Sequence, residues 1–492
     1  MAKLLMVQGT SSSSGKSSLV TALCRILSDE GYSVTPFKAQ NMSSNLYITK
    51  EGLEMAKAQA IQAVAARTDP SVYMNPILLK PMGDYVSRVV ILGKMHGDMH
   101  AKEYYKFAVK NGVKYVMRAL RKLDKYDIIV IEGAGSPAEI NLMEYDIANM
   151  KLAEMVNAPV LIVADIDRGG CFASMIGTLE LLKRKHRALV KGFIINKFRG
   201  DKSILDSAIG SVERMTGKSV RGIIPFVESM FLPNEDSLGL ASGIVKDNMI
   251  NIAIIRYPNA SNVSDFDSLL HSSEMLNTCY VTTKTKLRTA DLLLLPSSRN
   301  LISDLEWLHE SGIGERIRTL HSKGIPVIGV CEGFAMMADK ITLNSKKMEG
   351  MGLLDTSIHA DRNVTGWINA RLYNNNSHGM VEGYLNKSYR AVNGRNAVPL
   401  LQVTGLNSRK SRFAEGSASR NGLAMGCCVY GLFDTPHFRN SVIELLSRKK
   451  GIDVNTHELN ATEFWDGQIQ KFSSIVRKNI DMHAIRRIVG LA

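Results

Sequence analysis

The chain has 492 residues, is 45% apolar and carries a formal net charge of +14. That length gives room for two to four domains, each with its own core. No apolar run is long enough to span a bilayer and no signal peptide precedes the first motif, so a cytoplasmic protein without a membrane partner is expected. The Lys and Arg residues are dispersed rather than gathered in a basic stripe. This argues against a nucleic-acid partner and suits a polyanionic small substrate. Six cysteines stand at 24, 171, 279, 331, 427 and 428, with no Cys-x-x-Cys spacing. Neither a disulfide framework nor a bound metal cluster is expected.

In chain order, an apolar strand, Leu4 to Gln8, runs into Gly9-Thr10-Ser11-Ser12-Ser13-Ser14-Gly15-Lys16-Ser17. A helix from Ser18 to Asp29 follows, with Leu19, Leu23 and Leu27 on one face and Gly31 as its stop. Strand, Gly- and Ser-rich loop, Lys and helix in that order make a phosphate cradle: backbone N–H groups close on phosphate oxygens, Lys16 adds a positive charge and Ser17 can hold Mg2+. ATP binding is therefore expected at Gly9, Thr10, Gly15, Lys16, Ser17 and Ser18. The loop has five residues between Gly9 and Gly15 where the common pattern has four.

Further strands are expected at Ser33–Phe37, Asp127–Glu132, Pro159–Ala164, Gly192–Asn196 and Gly222–Pro225, mostly separated by helices. This predicts an α/β, doubly wound parallel sheet with its site at the carboxyl ends of the strands. Glu132 and Asp165 sit at such ends and are the candidate Mg2+ ligands, directly or through water. A solvated loop acid is the alternative for each. A linker is expected at 233–250, between an ATP-binding domain over 1–232 and a second αβ domain over 251–450. The second pattern starts at Asn251–Ile255 and continues with strand Asp291–Leu295, helices around Ser303–Glu310 and Glu315–Lys323, and strand Ile325–Val330. Gly329-Val330-Cys331-Glu332-Gly333 then reads as a nucleophile elbow opening a helix from Phe334 to Lys340. Cys331 is either its nucleophile or a buried structural Cys, and the flanking glycines favour the nucleophile. His378 and His437 are the downstream histidines that could serve as its base, though both also read as surface residues. Residues 451–492 are expected to form an amphipathic helical tail.

These segments resemble the cobyric acid synthase family, ATP-dependent amidotransferases of the cobalamin pathway. The resemblance is carried by Val7–Thr10, Pro36–Met42, Met74–Pro81, Glu132–Leu142, Ala164–Gly170, Ile195–Asp201, Ser264–Phe266, Leu295–Leu305, Cys331 and Gly431–Asp434. It implies a dethiobiotin-synthetase-like P-loop domain followed by a flavodoxin-like class I glutamine amidotransferase domain. It implies a corrinoid substrate, adenosylcobyrinic acid a,c-diamide, with the b, d, e and g carboxylates amidated through acyl phosphates by nitrogen from glutamine. By the same analogy Asn196 and Lys197 face the nucleotide. Lys38, Gln40 and Asn41, just after the second strand, are placed to face the substrate. The sister enzyme that makes the a,c-diamide and a regulatory P-loop ATPase are the alternatives, and the oligomeric state is left open.

The second half departs from the family pattern. The family's Gly-Thr-Tyr-x-His-Gly-x-Phe appears as Gly426-Cys427-Cys428-Val429-Tyr430-Gly431-Leu432-Phe433, so Tyr430 occupies the position of the thiol's base. A second His segment reads Gly383-Tyr384-Leu385-Asn386-Lys387-Ser388-Tyr389. Glu332 stands where the elbow has Gly, and Ser297 replaces the Gly of the Leu-Pro-Gly-Ser loop. A phenol with a pKa near ~10 is a poor base at neutral pH. The expectation is a weak or lost glutaminase, with free ammonia or an external donor as the nitrogen source; the alternative is that Cys331 still uses glutamine with a displaced base, His378 or His437.

Overall fold

A computed structural model describes residues 2–83, 85–227, 246–287, 290–343, 346–373, 379–455 and 460–491. The chain divides into two compact units, residues 1–49, 53–236 and 462–492 in the first and residues 50–52 and 237–461 in the second. The expected linker lies, as far as residue 245, outside the described residues, and so does His378.

The first unit is built on a six-stranded parallel sheet in the order Val220–Pro225, Val190–Phe198, Val160–Asp165, Lys3–Gly9, Ile128–Glu132, Val34–Phe37. Its central strands are continuous apolar runs, as burial on both faces requires. Met6, Ile129, Ile131, Ile162 and Phe193 are shielded from solvent in one core. Lys3–Gly9 lies between Val160–Asp165 and Ile128–Glu132. The ends of Lys3–Gly9, Val160–Asp165 and Ile128–Glu132 are therefore neighbours, and the helix Lys16–Asp29 follows the loop after the first. A small sheet of Gln40–Met42, Ile77–Gly83, Val86–Ile91 and Lys94–His100 adjoins this frame in sequence.

The tail forms two helices, Ala461–Asn479 and Met482–Val489. They fold back on the first unit. Glu30 accepts from Arg477 Nη2 at 2.6 Å and from Arg486 Nε and Nη2 at 3.0 and 2.7 Å. Buried Arg25 pairs with Asp466.

The second unit carries a sheet in the order Leu276–Val281, Ile250–Ile255, Leu292–Leu295, Val327–Val330, Ala424–Cys427, parallel throughout, extended by antiparallel Ser417–Ser419 and Ala397–Val398. A second, largely antiparallel sheet centres on the long hairpin of Leu354–Leu372 and Met380–Asn393. The expected helix Phe334–Lys340 needs correcting: the helix is Glu332–Met336, and the strand Ala338–Leu343 follows. Phe334 to Met337 is a short apolar run whose periodicity does not separate a buried helix from a buried strand. The chain turns at Met337, pairing Ala338 with Leu354 in the second sheet.

Candidate functional site

The phosphate loop is sterically determined. Gly15 caps the helix at φ 99°, a left-handed conformation that glycine adopts at little cost. A Cβ there would meet Asn196 Nδ2 at 1.9 Å. Asn196 Nδ2 donates to the Ser14 carbonyl at 3.0 Å, and Lys197 Nζ donates to the Ser13 carbonyl at 2.9 Å. The two residues expected near the nucleotide thus hold the loop's backbone. Thr10 N donates to the Val163 carbonyl at 2.9 Å, which ties the start of the loop to the neighbouring strand. Lys16 is buried, with Nζ on the Ser11 carbonyl at 2.9 Å. The Ser14 hydroxyl is buried without a protein partner, a polar atom suited to a phosphate oxygen. Ser17 and Ser18 occupy the first helical turn, where backbone N–H groups lack intrahelical acceptors. The loop fits a nucleotide polyphosphate.

Glu132 is the hub beneath it. Fully buried, it accepts from Ser17 Oγ at 2.7 Å and from Lys38 Nζ at 2.9 Å. Gln62 Nε2 donates to its other oxygen, and Gln59 Nε2 lies 3.4 Å away. Burial alone would raise the pKa of this carboxyl, but the Lys38 ammonium and the bonds from Gln62 and Ser17 hold it below the usual range. Glu132 is therefore an anion beside the Ser17 hydroxyl. That is an oxygen-only donor pair of the kind Mg2+ takes alongside nucleotide oxygens. Asp165 is turned instead onto Lys197 at 2.7 Å, with Arg168 at 3.7 Å. Gln59 and Gln62 escaped the sequence analysis. Their signal was two amides three residues apart in the Ala-rich helix Lys57–Ala65, which places both on one face.

The three residues expected to face substrate separate. Lys38 is committed to Glu132, and Asn41 Nδ2 donates to Gln59 Oε1 at 2.7 Å. Gln40 lines a cavity of about 280 Å³ at the carboxyl end of Ile128–Glu132, whose walls include Tyr104, Tyr105, Tyr145 and Leu142.

The elbow keeps its backbone. Cys331 sits at φ 49°, ψ −116°, between strand Val327–Val330 and helix Glu332–Met336. A Cβ on Gly333 would meet the Leu295 carbonyl oxygen at 2.2 Å, so the tight approach demands glycine. What surrounds the thiol is unlike a thiol–imidazole pair. Cys331 Sγ lies 3.6 Å from the Asn386 carbonyl, with Cys428, Tyr430 and Glu332 as its electrostatic neighbours. Burial, then Cys428 and Glu332, push the thiol well above its ordinary pKa, against a smaller opposite pull from its hydrogen bond with Tyr430. Tyr430 is pushed up as well, by burial and by Cys331 and Glu332. Its hydroxyl donates to Ser297 Oγ at 2.8 Å, and Ser297 Oγ donates to Glu332 Oε2 at 2.5 Å. Ser298 N adds a 3.2 Å bond to the same carboxylate oxygen. The two departures noted in the sequence, Ser297 and Glu332, are thus bonded to each other, and Ser297 to Tyr430. His437 packs its ring against Gly379, where a Cβ would meet Cδ2 at 1.9 Å.

Among the described residues, no helix is long and apolar enough to cross a membrane. Residues 5–238 match the CobQ/CobB/MinD/ParA nucleotide binding domain, and residues 251–438 match the CobB/CobQ-like glutamine amidotransferase domain. The chain is 39% identical to the cobyric acid synthase of Photorhabdus laumondii over 98% of this chain and 97% of that protein. It is 40% identical to that of Dehalococcoides mccartyi strain CBDB1 over 100% of this chain and 99% of that protein. With a phosphate loop closed over a buried carboxylate, and likeness along its whole length, the chain belongs to the cobyric acid synthase family of ATP-dependent amidating enzymes.

Proposed function

We propose that this protein amidates the b, d, e and g carboxylates of adenosylcobyrinic acid a,c-diamide, and that the nitrogen it uses is free ammonia. The first part rests on one observation: Ser17, Lys38, Gln59 and Gln62 converge on Glu132 directly beneath the phosphate loop. A carboxylate is a poor acylating agent, so it must be activated. A substrate carboxylate oxygen attacks the γ-phosphorus of ATP, the bond to ADP breaks, and an acyl phosphate forms. Lys16 and the loop N–H groups are positioned to offset the charge that builds on the transferring group. Ser17 and Glu132 are the residues that would hold Mg2+, whose chemistry there is charge neutralisation. Ammonia then attacks the acyl carbon, phosphate leaves and the nitrogen loses a proton, giving the amide.

The choice of ammonia rests on the elbow. A glutaminase thiol needs a proton acceptor and an open oxyanion site. Tyr430 instead has its proton donated to Ser297, and its phenol titrates above the ordinary range. Ser297 Oγ is bonded to Tyr430, Ser261 and Glu332 Oε2.

The test is amide formation with saturating glutamine or with ammonium salts, in wild type and Cys331→Ala. Ammonium should support turnover in both, equal within about twofold, and glutamine in neither. Strong glutamine-dependent turnover that disappears in Cys331→Ala would overturn the ammonia assignment.

A further inference from the structure

The cavity beside Glu132 has a chemical character unlike what an acidic acceptor arm would want. It lies between Gln40–Met42 and the loop that follows Ile128–Glu132. At about 280 Å³ it has room for one short side arm of a larger molecule. Stacked rings of Tyr105 and Tyr145, with centroids 5.4 Å apart, form an aromatic wall. Tyr104 donates its hydroxyl to Gln40 Oε1 at 2.7 Å. That bond orients the Gln40 amide and leaves its Nε2 donors for a ligand. Two carboxylates, Glu139 and Asp146, also line the space. Asp146 is held as an acceptor, Oδ1 by the backbone N–H groups of Ala148 and Asn149 at 2.9 and 2.7 Å and Oδ2 by that of Lys151 at 3.2 Å. No Lys or Arg is among the described residues lining the cavity.

We infer that this cavity is a recognition pocket for a neutral amide arm of the substrate, set beside the phosphate site. The inference rests on the amidation reading above and deepens it. An arm ending in –CO–NH2 can accept from Gln40 through its oxygen and donate to carboxylate oxygens through its nitrogen. An arm ending in –COO⁻ has no donor to give, meets two like charges and loses its hydration without a cation in return. Sites with fixed polar partners discriminate strongly against a ligand that leaves them unmatched. The pocket would thus read whether an earlier amidation has occurred, and hold an amide arm while an unreacted carboxylate reaches the loop.

The experiment compares binding of two corrinoids to the full chain with a non-hydrolysable ATP analogue present, read by calorimetry: cobyrinic acid a,c-diamide and fully acidic cobyrinic acid. Wild type should prefer the diamide by at least about tenfold. Glu139→Lys, a change at an exposed position, should reduce the preference to within about threefold by tightening the acid. Gln40→Leu should weaken the diamide alone. Both variants should bind a fluorescent ATP analogue as wild type does. Equal wild-type affinities, or an unchanged preference in Glu139→Lys with nucleotide binding intact, would overturn the pocket. Failure of wild type to bind either corrinoid would instead overturn the amidation reading on which the pocket depends.

Discussion

Two strand-to-helix turns in this chain invite comparison: the phosphate loop at Gly9–Ser17 and the elbow at Gly329–Gly333. Both are fixed by glycines that other groups crowd, Asn196 at the first and the Leu295 carbonyl at the second. They differ in where their polar side chains go. At the phosphate loop, Ser17 and Lys38 meet Glu132, and a buried Ser14 hydroxyl has no protein partner. At the elbow, Tyr430 donates to Ser297 and Ser297 to Glu332, with Ser261 and Ser298 adding bonds to the same row. The two turns thus share a backbone device, a crowded glycine, and differ in the side chains at the rim.

The largest expected effect lies in the first turn. Lys16→Ala should lower amide formation by about a thousandfold, through lost stabilisation of the transferring phosphoryl group. Corrinoid binding should stay within about threefold by titration. Glu132→Gln should also abolish activity, but it differs in removing the buried carboxylate with which Lys38 pairs. Breaking a buried pair in this way costs about 3–5 kcal/mol, so denaturant unfolding should separate the two variants. Equal activity of Lys16→Ala and wild type would remove the contrast between the turns.

The contrast was partly legible beforehand. Apolar runs such as Leu4–Val7 and Ile128–Ile131 announce parallel strands because both faces are covered, and the loop spells its motif within consecutive residues. The substitution at Tyr430 was equally visible, since it is a change of residue type inside a recognisable segment. The long-range partners were not. Nothing local says that Gln62 reaches Glu132, 70 positions away. The hairpin of Leu354–Leu372 and Met380–Asn393 was also missed: its burial alternates only in parts, and its register shifts between Ala360 and Val364. Asn196 and Lys197 stood out as residues, but their grip on the Ser13 and Ser14 carbonyls needs three-dimensional contact to see.

A middle-sized effect tests the elbow from the opposite side. Replacing Tyr430 by His restores an imidazole, and Ser297→Gly removes the hydroxyl that bridges Tyr430 and Glu332. The double variant Tyr430→His, Ser297→Gly should release glutamate from glutamine at least about tenfold faster than wild type, measured by a coupled glutamate assay. Adding Cys331→Ala should return the rate to background. Either single change alone should give less, because each leaves one half of the obstruction. No gain in the double variant would mean that the burial of Cys331, rather than the missing base, is what silences the thiol.

The smallest effect concerns the support beneath the first turn. Helix Lys16–Asp29 is followed by Glu30, which binds Arg486 and Arg477 of the tail. The hydrogen bond from Arg486 leads in holding the Glu30 carboxyl below its usual pKa, with Arg477 adding to it against partial burial. A depressed folded-state pKa means the unfolded chain binds the proton more readily. The stabilisation is therefore complete above the unfolded pKa near ~4.3 and is lost as pH falls through the lower folded value. Glu30→Gln should cost about 1 kcal/mol at pH 7, the scale of a partly exposed charged bond. The difference from wild type should shrink below about pH 4, read from urea unfolding at a series of pH values. A difference that persists at low pH would show that Glu30 acts there through packing rather than charge.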